Sequence, residues 1–204
     1  MSQVTSGLRA VLSAPLVYRT QQFLWGSSLL HAVTRSYLAL KPGQSLLDVG
    51  CGTCDILKSL PDIHYTGVDL SPSYIERAQA RFGDRGQFLV GNIYELEQIA
   101  DRKYDAVLAQ GVLHHLDDDE VTAFVRFAAT KLSAGGKLVT ADPCFHDGQG
   151  RFERFLAAHD RGQNVRTPEA YCKLAQARFS NFRCELRRDA QRLPYTFCYV
   201  IATA

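Results

Sequence analysis

The stretch Ser45-Leu46-Leu47-Asp48-Val49-Gly50-Cys51-Gly52-Thr53-Cys54-Asp55 decides how this chain is read. An apolar run of strand length ends in two closely spaced glycines, where the backbone turns toward a helix and a ligand can approach its amides. The same unit recurs further along. Apolar runs at 45–50, 64–70, 87–91, 104–110 and 137–142 are each followed by a segment of helical length. That alternation predicts an α/β fold with a parallel, doubly wound sheet.

The intervening helices are legible. Ser71 and Pro72 open one with Ile75, Ala78 and Phe82 on a shared face. Asp117, Asp118 and Asp119 open another, whose buried stripe is Val121, Phe124, Val125, Ala128 and Leu132, with Gly135-Gly136 as its stop. Before the first strand, residues 1–43 carry apolar residues at mixed helical spacings and end in Lys41-Pro42-Gly43, which predicts an N-terminal helical cap. After 142 the pattern gives a polar loop over 143–167 and a helix over 168–178. Two β-rich runs at 182–189 and 195–203 then close the sheet as an antiparallel pair. No linker or repeat divides the chain, so 1–204 reads as one domain, with 44–204 as its core.

Composition excludes several classes. With 23 Lys and Arg against 21 Asp and Glu, the net charge of +2 gives no phosphate-neutralising surface, so no nucleic acid is expected as partner. No stretch reads as a signal peptide or membrane span. The six cysteines form no regular framework, which fits free thiols in the cytoplasm. Cys51 and Cys54 make a C-x-x-C without a second pair, and no metal is expected.

Asp69 ends the second strand seventeen residues after Gly52, where ribose-binding folds place a carboxylate for the sugar hydroxyls. A dinucleotide site expects a third glycine where Asp55 stands, and its carboxylate would oppose a pyrophosphate. S-adenosylmethionine, which has no phosphate, suits the same crevice.

LLDVGCGTCD (46–55), GVDLS (67–71), DAVLAQGVLHHLDD (105–118) and LSAGGKLVTAD (132–142) together resemble the successive motifs of class I S-adenosylmethionine-dependent methyltransferases. The resemblance implies a Rossmann-like seven-stranded sheet in the order 3-2-1-4-5-7-6, strand 7 antiparallel, with helices on both faces. It implies S-adenosylmethionine as cofactor and S-adenosylhomocysteine as product. By motif, Asp48, Gly50 and Gly52 would line the methionine moiety, Asp69 the ribose, Leu70 an adenine face, Asn92 and Ile93 the adenine edge, and Gln110 the sulfonium side. Cys54 stands where glycine is common, and Asn92 where Asp is frequent.

His114 and His115 follow Gln110 at the expected mouth, so His115, or failing it His114, is a candidate base for an acceptor hydroxyl, with Asp142 as orienting or substrate-binding acid. The segment 160–167 is a candidate contact for a polar substrate, packing or surface roles being the alternatives. Tyr18 is placed as a lid over the cofactor, Phe23 and Trp25 as core packing. The missing Asn/Asp-Pro-Pro-Tyr/Phe motif argues against base-amine methylation. The expected function is therefore methyl transfer to a small molecule, by preference at oxygen. N- or C-methylation of a metabolite, or a non-catalytic S-adenosylmethionine-binding partner protein, stay open, as does the oligomeric state.

Overall fold

The apolar runs become seven strands of one sheet in a computed structural model that describes residues 27–204 except Arg161 and Leu193. They are β1 (Ser45–Val49), β2 (His64–Asp69), β3 (Gly86–Val90), β4 (Tyr104–Gln110), β5 (Leu132–Pro143), β6 (Asn181–Arg187) and β7 (Phe197–Thr203). Their order is β3-β2-β1-β4-β5-β7-β6. The first five pair in parallel, and β7 runs antiparallel to both β5 and β6, as the sequence predicts.

Because both faces are covered, neighbouring residues of a central strand enter different cores. On one face Val107 and Ala109 of β4 meet Phe124, Val125 and Ala128 of α4 (Asp118–Lys131) and Tyr171 of α6 (Pro168–Gln176). On the other, Ala106 and Leu108 share a cluster with Leu30 and Leu38 of α1 (Ser27–Leu38) and Ala78 of α2 (Pro72–Phe82). Within the second core, α1 is pinned to β7 by a ring contact and a hydrogen bond. The Tyr37 and Tyr199 rings lie 4.8 Å apart, and the Thr34 hydroxyl bonds Tyr199 Oη at 3.1 Å. The short α3 (Glu97–Ala100) is closed by the buried Lys131, whose ammonium donates to the carbonyls of Ile99 and Ala100.

Several local expectations are corrected. The turn after β1 leads into one 3₁₀ turn, Asp55–Lys58, because Pro61 comes too soon for an α-helix to continue. The segment 143–167 is not loop throughout: Arg151–Ala158 forms α5, with Ala157 buried in the core. The stripe helix ends at Lys131, since Leu132 already belongs to β5, and α6 stops at Gln176. Cys172 on α6 and Cys184 on β6 form a disulfide, with Cα atoms 6.3 Å apart. The expectation of six free thiols is thus replaced by four, at 51, 54, 144 and 198, and with it goes the argument from thiols for a reducing compartment. Tyr18, Phe23, Trp25 and most of the 1–43 cap lie outside the described residues. Among the described residues no helix is long and apolar enough to cross a membrane.

The acidic start of α4 forms a reciprocal cap: Glu120 N–H donates to Asp117 Oδ1 at 2.8 Å, and Asp117 N–H to Glu120 Oε2 at 3.0 Å. Asp117→Ala should lower stability by about 1 kcal/mol, read as a smaller urea midpoint at constant m-value. An unchanged midpoint would show that the helix start is held by packing alone.

Candidate functional site

The C-terminal ends of β1 and β4 open onto a cleft whose lining includes Asp48, Gly50, Gly52, Gln110, Asp55 and His31. The turn after β1 is held against β2 by backbone bonds, with Gly50 N–H and Cys51 N–H donating to Val68 O at 2.8 and 3.1 Å. Gly50 sits at φ +68°, and a Cβ there would come within 2.5 Å of the Val112 side chain, so both backbone conformation and space require glycine. Cys54, buried at φ +54°, adopts the left-handed conformation that explains why glycine is common at this position.

Asp69 sits where β2 ends. Its Oδ2 accepts from Gly52 N–H at 2.9 Å and its Oδ1 from Ser71 N–H at 2.8 Å. Beside it Leu70 is half exposed, and the chain end of β3 is drawn close by Gly91 N–H donating to Asp69 O. Asn92 is exposed and makes a local turn, its Oδ1 accepting from Tyr94 N–H, while Ile93 is half-buried.

Asp48 is buried and accepts from Tyr65 Oη at 2.6 Å. Burial outweighs that bond and pushes its carboxyl up to about 7. Asp55 is also partly desolvated, but hydrogen bonds from Arg81 and Lys58, each at 2.8 Å, hold it ionised well below the usual range. Gln110 is fixed from behind, its Oε1 accepting from the Thr34 hydroxyl at 2.8 Å, which leaves its amide N–H groups for the cleft.

The second group of sequence candidates is arranged differently from expectation. His114 is buried with both ring nitrogens engaged: Nδ1 lies 2.8 Å from Asp142 Oδ1, and Nε2 lies 3.1 Å from Asp160 Oδ1. Burial opposes the charge, yet the bonds to Asp142 and Asp160 prevail and push the imidazole up to about 9. His114 is therefore an imidazolium at neutral pH with no lone pair for a substrate proton. Asp142 does not open on the cleft as expected; it is 1% exposed and also accepts from His114 N–H at 3.2 Å.

In the segment 160–167, Asp160 and Arg166 are likewise spent on internal contacts. Asp160 also accepts from Tyr195 Oη and Gly162 N–H. Buried Arg166 donates to the carbonyls of Leu113, Leu116 and Asn164 and pairs with Asp118. His115 is half-buried, its ring 4.1 Å from that of His114. Sequence reasoning missed His31, because nothing in the spacing of α1 shows which of its residues overhangs the cleft.

Comparison with known proteins bears on this geometry. The family profile described as "Methyltransferase domain" matches residues 47–140. Over that stretch, just under half of its length, the chain carries a methyltransferase domain of the class I S-adenosylmethionine-dependent kind. S-adenosylmethionine is the cofactor of that family.

O-methyltransferase resE of Aspergillus sclerotiorum is 36% identical over 52% of this chain and 42% of its own length. The 27-O-demethylrifamycin SV methyltransferase of Amycolatopsis mediterranei is 32% identical over 58% of this chain and 52% of its own. Coverage of the relatives is partial: even the uncharacterized methyltransferase of Geobacillus thermodenitrificans is matched over only 60% of its length. In fold, the chain is similar to a phosphoethanolamine N-methyltransferase of Haemonchus contortus, with a TM-score of 0.71, 16% identity, and coverage of 96% of this chain and 58% of that one. Like that methyltransferase, this chain has a Rossmann-like sheet with flanking helices.

The His114 cluster has a signed pH dependence. The imidazole is raised on folding, so its contribution is complete below its ordinary value of about 6.5 and is lost as pH rises through about 9. Thermal melts between pH 7 and 10 should show that loss, and the His114→Gln variant should lack it. Asp160→Asn, which leaves a buried cation with one partner, should cost about 3–5 kcal/mol. A variant of parental stability would show that the segment is held by Arg166 alone.

Proposed function

We propose that this protein transfers the methyl group of S-adenosylmethionine to a small-molecule acceptor, at an oxygen atom. The observation that carries the reading is the cleft itself, lined by the glycine turn, the buried acid Asp48 and Gln110, with the strand-end carboxylate Asp69 bonded to the turn at Gly52 N–H. The residues fit the cofactor. Each Asp69 oxygen has a lone pair left for a ribose hydroxyl, Asp48 offers a buried anion to an α-ammonium group, and Leu70, Asn92 and Ile93 border an open face suited to adenine. Gln110 would face the methyl side.

When bound, the sulfonium supplies an electrophilic methyl group with a neutral thioether as leaving group. The chain's own work is then to orient and to exclude water. The Thr34 hydroxyl fixes Gln110, and Asp69 fixes the turn. In this reading His114 and Asp142 are positioning residues that hold 160–166 against the turn after β4. His115 keeps the role of base toward an acceptor hydroxyl.

Oxygen as acceptor atom is supported by two O-methyltransferase relatives and by the absence of the base-amine motif after β4. N-methylation of a small amine is the second reading, supported by the N-methyltransferase of similar fold. Near-balanced charge supports a small acceptor over a nucleic acid.

Release of S-adenosylhomocysteine, measured across hydroxylated and amine acceptors, tests the activity. Binding without turnover on any of them would favour a silent binder. Asp69→Ala should weaken S-adenosylhomocysteine binding by at least about 1.5–3 kcal/mol, the range for one charge-assisted hydrogen bond, in calorimetry. Unchanged affinity would remove the ribose assignment.

Asp48 adds a pH test. A cationic ammonium binds its ionised form, while the free carboxyl titrates at about 7, so affinity should fall by up to about tenfold per pH unit below that value. The Asp48→Asn variant should bind more weakly but with a flat profile over pH 5–7.

A further inference from the structure

Among the ionisable side chains of the cleft, His31 is left unused by the reading above and, among the described residues, is not paired with a charged partner as Asp55 is. His31 stands on α1, outside the matched stretch 47–140, and lines the cleft beside Gly50, Gly52, Thr53 and Asp55. Its placement follows from helix geometry, since it lies one turn before Thr34 on the same face. Thr34 is anchored on Gln110 and Tyr199, which makes His31 overhang the glycine turn.

The neighbouring polar groups are largely committed. Lys58 and Arg81 donate to Asp55, as does the Thr53 hydroxyl at 2.5 Å, and Asp48 is bonded by Tyr65. A zwitterionic amino-acid group entering here finds an anion for its ammonium in Asp48. Its carboxylate requires N–H donors, and among the described residues the nearby cations Lys58 and Arg81 already serve Asp55.

Resting on the cofactor reading, we propose that His31 is a specificity residue that donates a ring N–H to the carboxylate of the cofactor's amino-acid end. Burial pushes the imidazole down to about 4, so at neutral pH the ring is uncharged and keeps one N–H to give. An uncharged donor suits this place. It bonds a carboxylate without setting a second positive charge beside a ligand that already carries a sulfonium and an ammonium. A lysine or arginine at the same position would repel both.

The test compares two ligands on the full chain by calorimetry. S-adenosylhomocysteine carries the amino-acid end, and 5′-methylthioadenosine is the same nucleoside thioether without it. His31→Ala should bind S-adenosylhomocysteine about tenfold more weakly and 5′-methylthioadenosine within about twofold of the parent. His31→Phe, which keeps a ring in the space and removes the donor, should show the same selective loss, and His31→Gln should recover much of it. Equal loss of both ligands, or no loss of either, in the Phe variant overturns the proposal by making His31 a packing residue. A parent chain that binds neither ligand would instead overturn the cofactor reading itself.

Discussion

The Asp69 carboxylate holds two parts of the chain at once, accepting from Gly52 N–H with one oxygen and from Ser71 N–H with the other. The first bond shapes the glycine turn, and the second fixes the entry to α2. Both would otherwise be backbone donors at element ends with no partner in the fold. The turn is thereby formed before any ligand arrives, and a ligand adding two hydroxyl donors completes the carboxylate's hydrogen bonding instead of displacing what it already holds. Preorganisation of this kind keeps the ordering cost out of the binding step.

Charge around the cleft is arranged to the same end. Three carboxylates, Asp48, Asp55 and Asp69, lie within one strand-to-helix region. Each is treated differently: Asp55 is neutralised by Arg81 and Lys58, Asp69 is bonded by backbone amides, and Asp48 has only a tyrosine hydroxyl. Asp48 therefore holds its proton up to about 7. A cation brought beside it recovers the energy that burial took from the ionised form, which is a reason for ligand charge and not shape alone to govern entry.

Much of this was legible in the sequence because it is local. The glycine turn, the Asp at the end of β2 and the capping acids of α4 are all encoded within a few residues, and period and spacing report them directly. The sheet order came through the motif resemblance, and strand boundaries moved by only a residue or two except at β5, which takes in the turn before it. What stayed hidden depends on contacts between distant segments. Nothing near His114 shows that Asp160 will close on its second nitrogen, and nothing near Arg166 shows three carbonyls waiting for it. The helix α5 escaped because it is short and two of its apolar residues, Phe152 and Phe155, remain exposed, so no buried stripe shows. His31 escaped because the side of a cap helix that meets the sheet is set by Thr34 and Tyr37 finding partners on β4, β6 and β7.

The two histidines show how completely surroundings decide what one side chain can do. His31 and His114 are both shielded from water, a condition that by itself favours the neutral ring in each. At His31 the nearby charges of Asp55 and Lys58 act in opposite directions, so desolvation prevails. At His114 two carboxylates bond the ring directly and reverse the outcome. Exchanging the two states would set a cation where a positively charged ligand must enter. It would also leave Asp142 and Asp160 converging on an uncharged ring, which can donate from only one nitrogen, so one buried carboxylate would lose its bond to the ring. The neutral ring at the cleft and the charged ring beneath the turn after β4 are thus consequences of where the carboxylates lie.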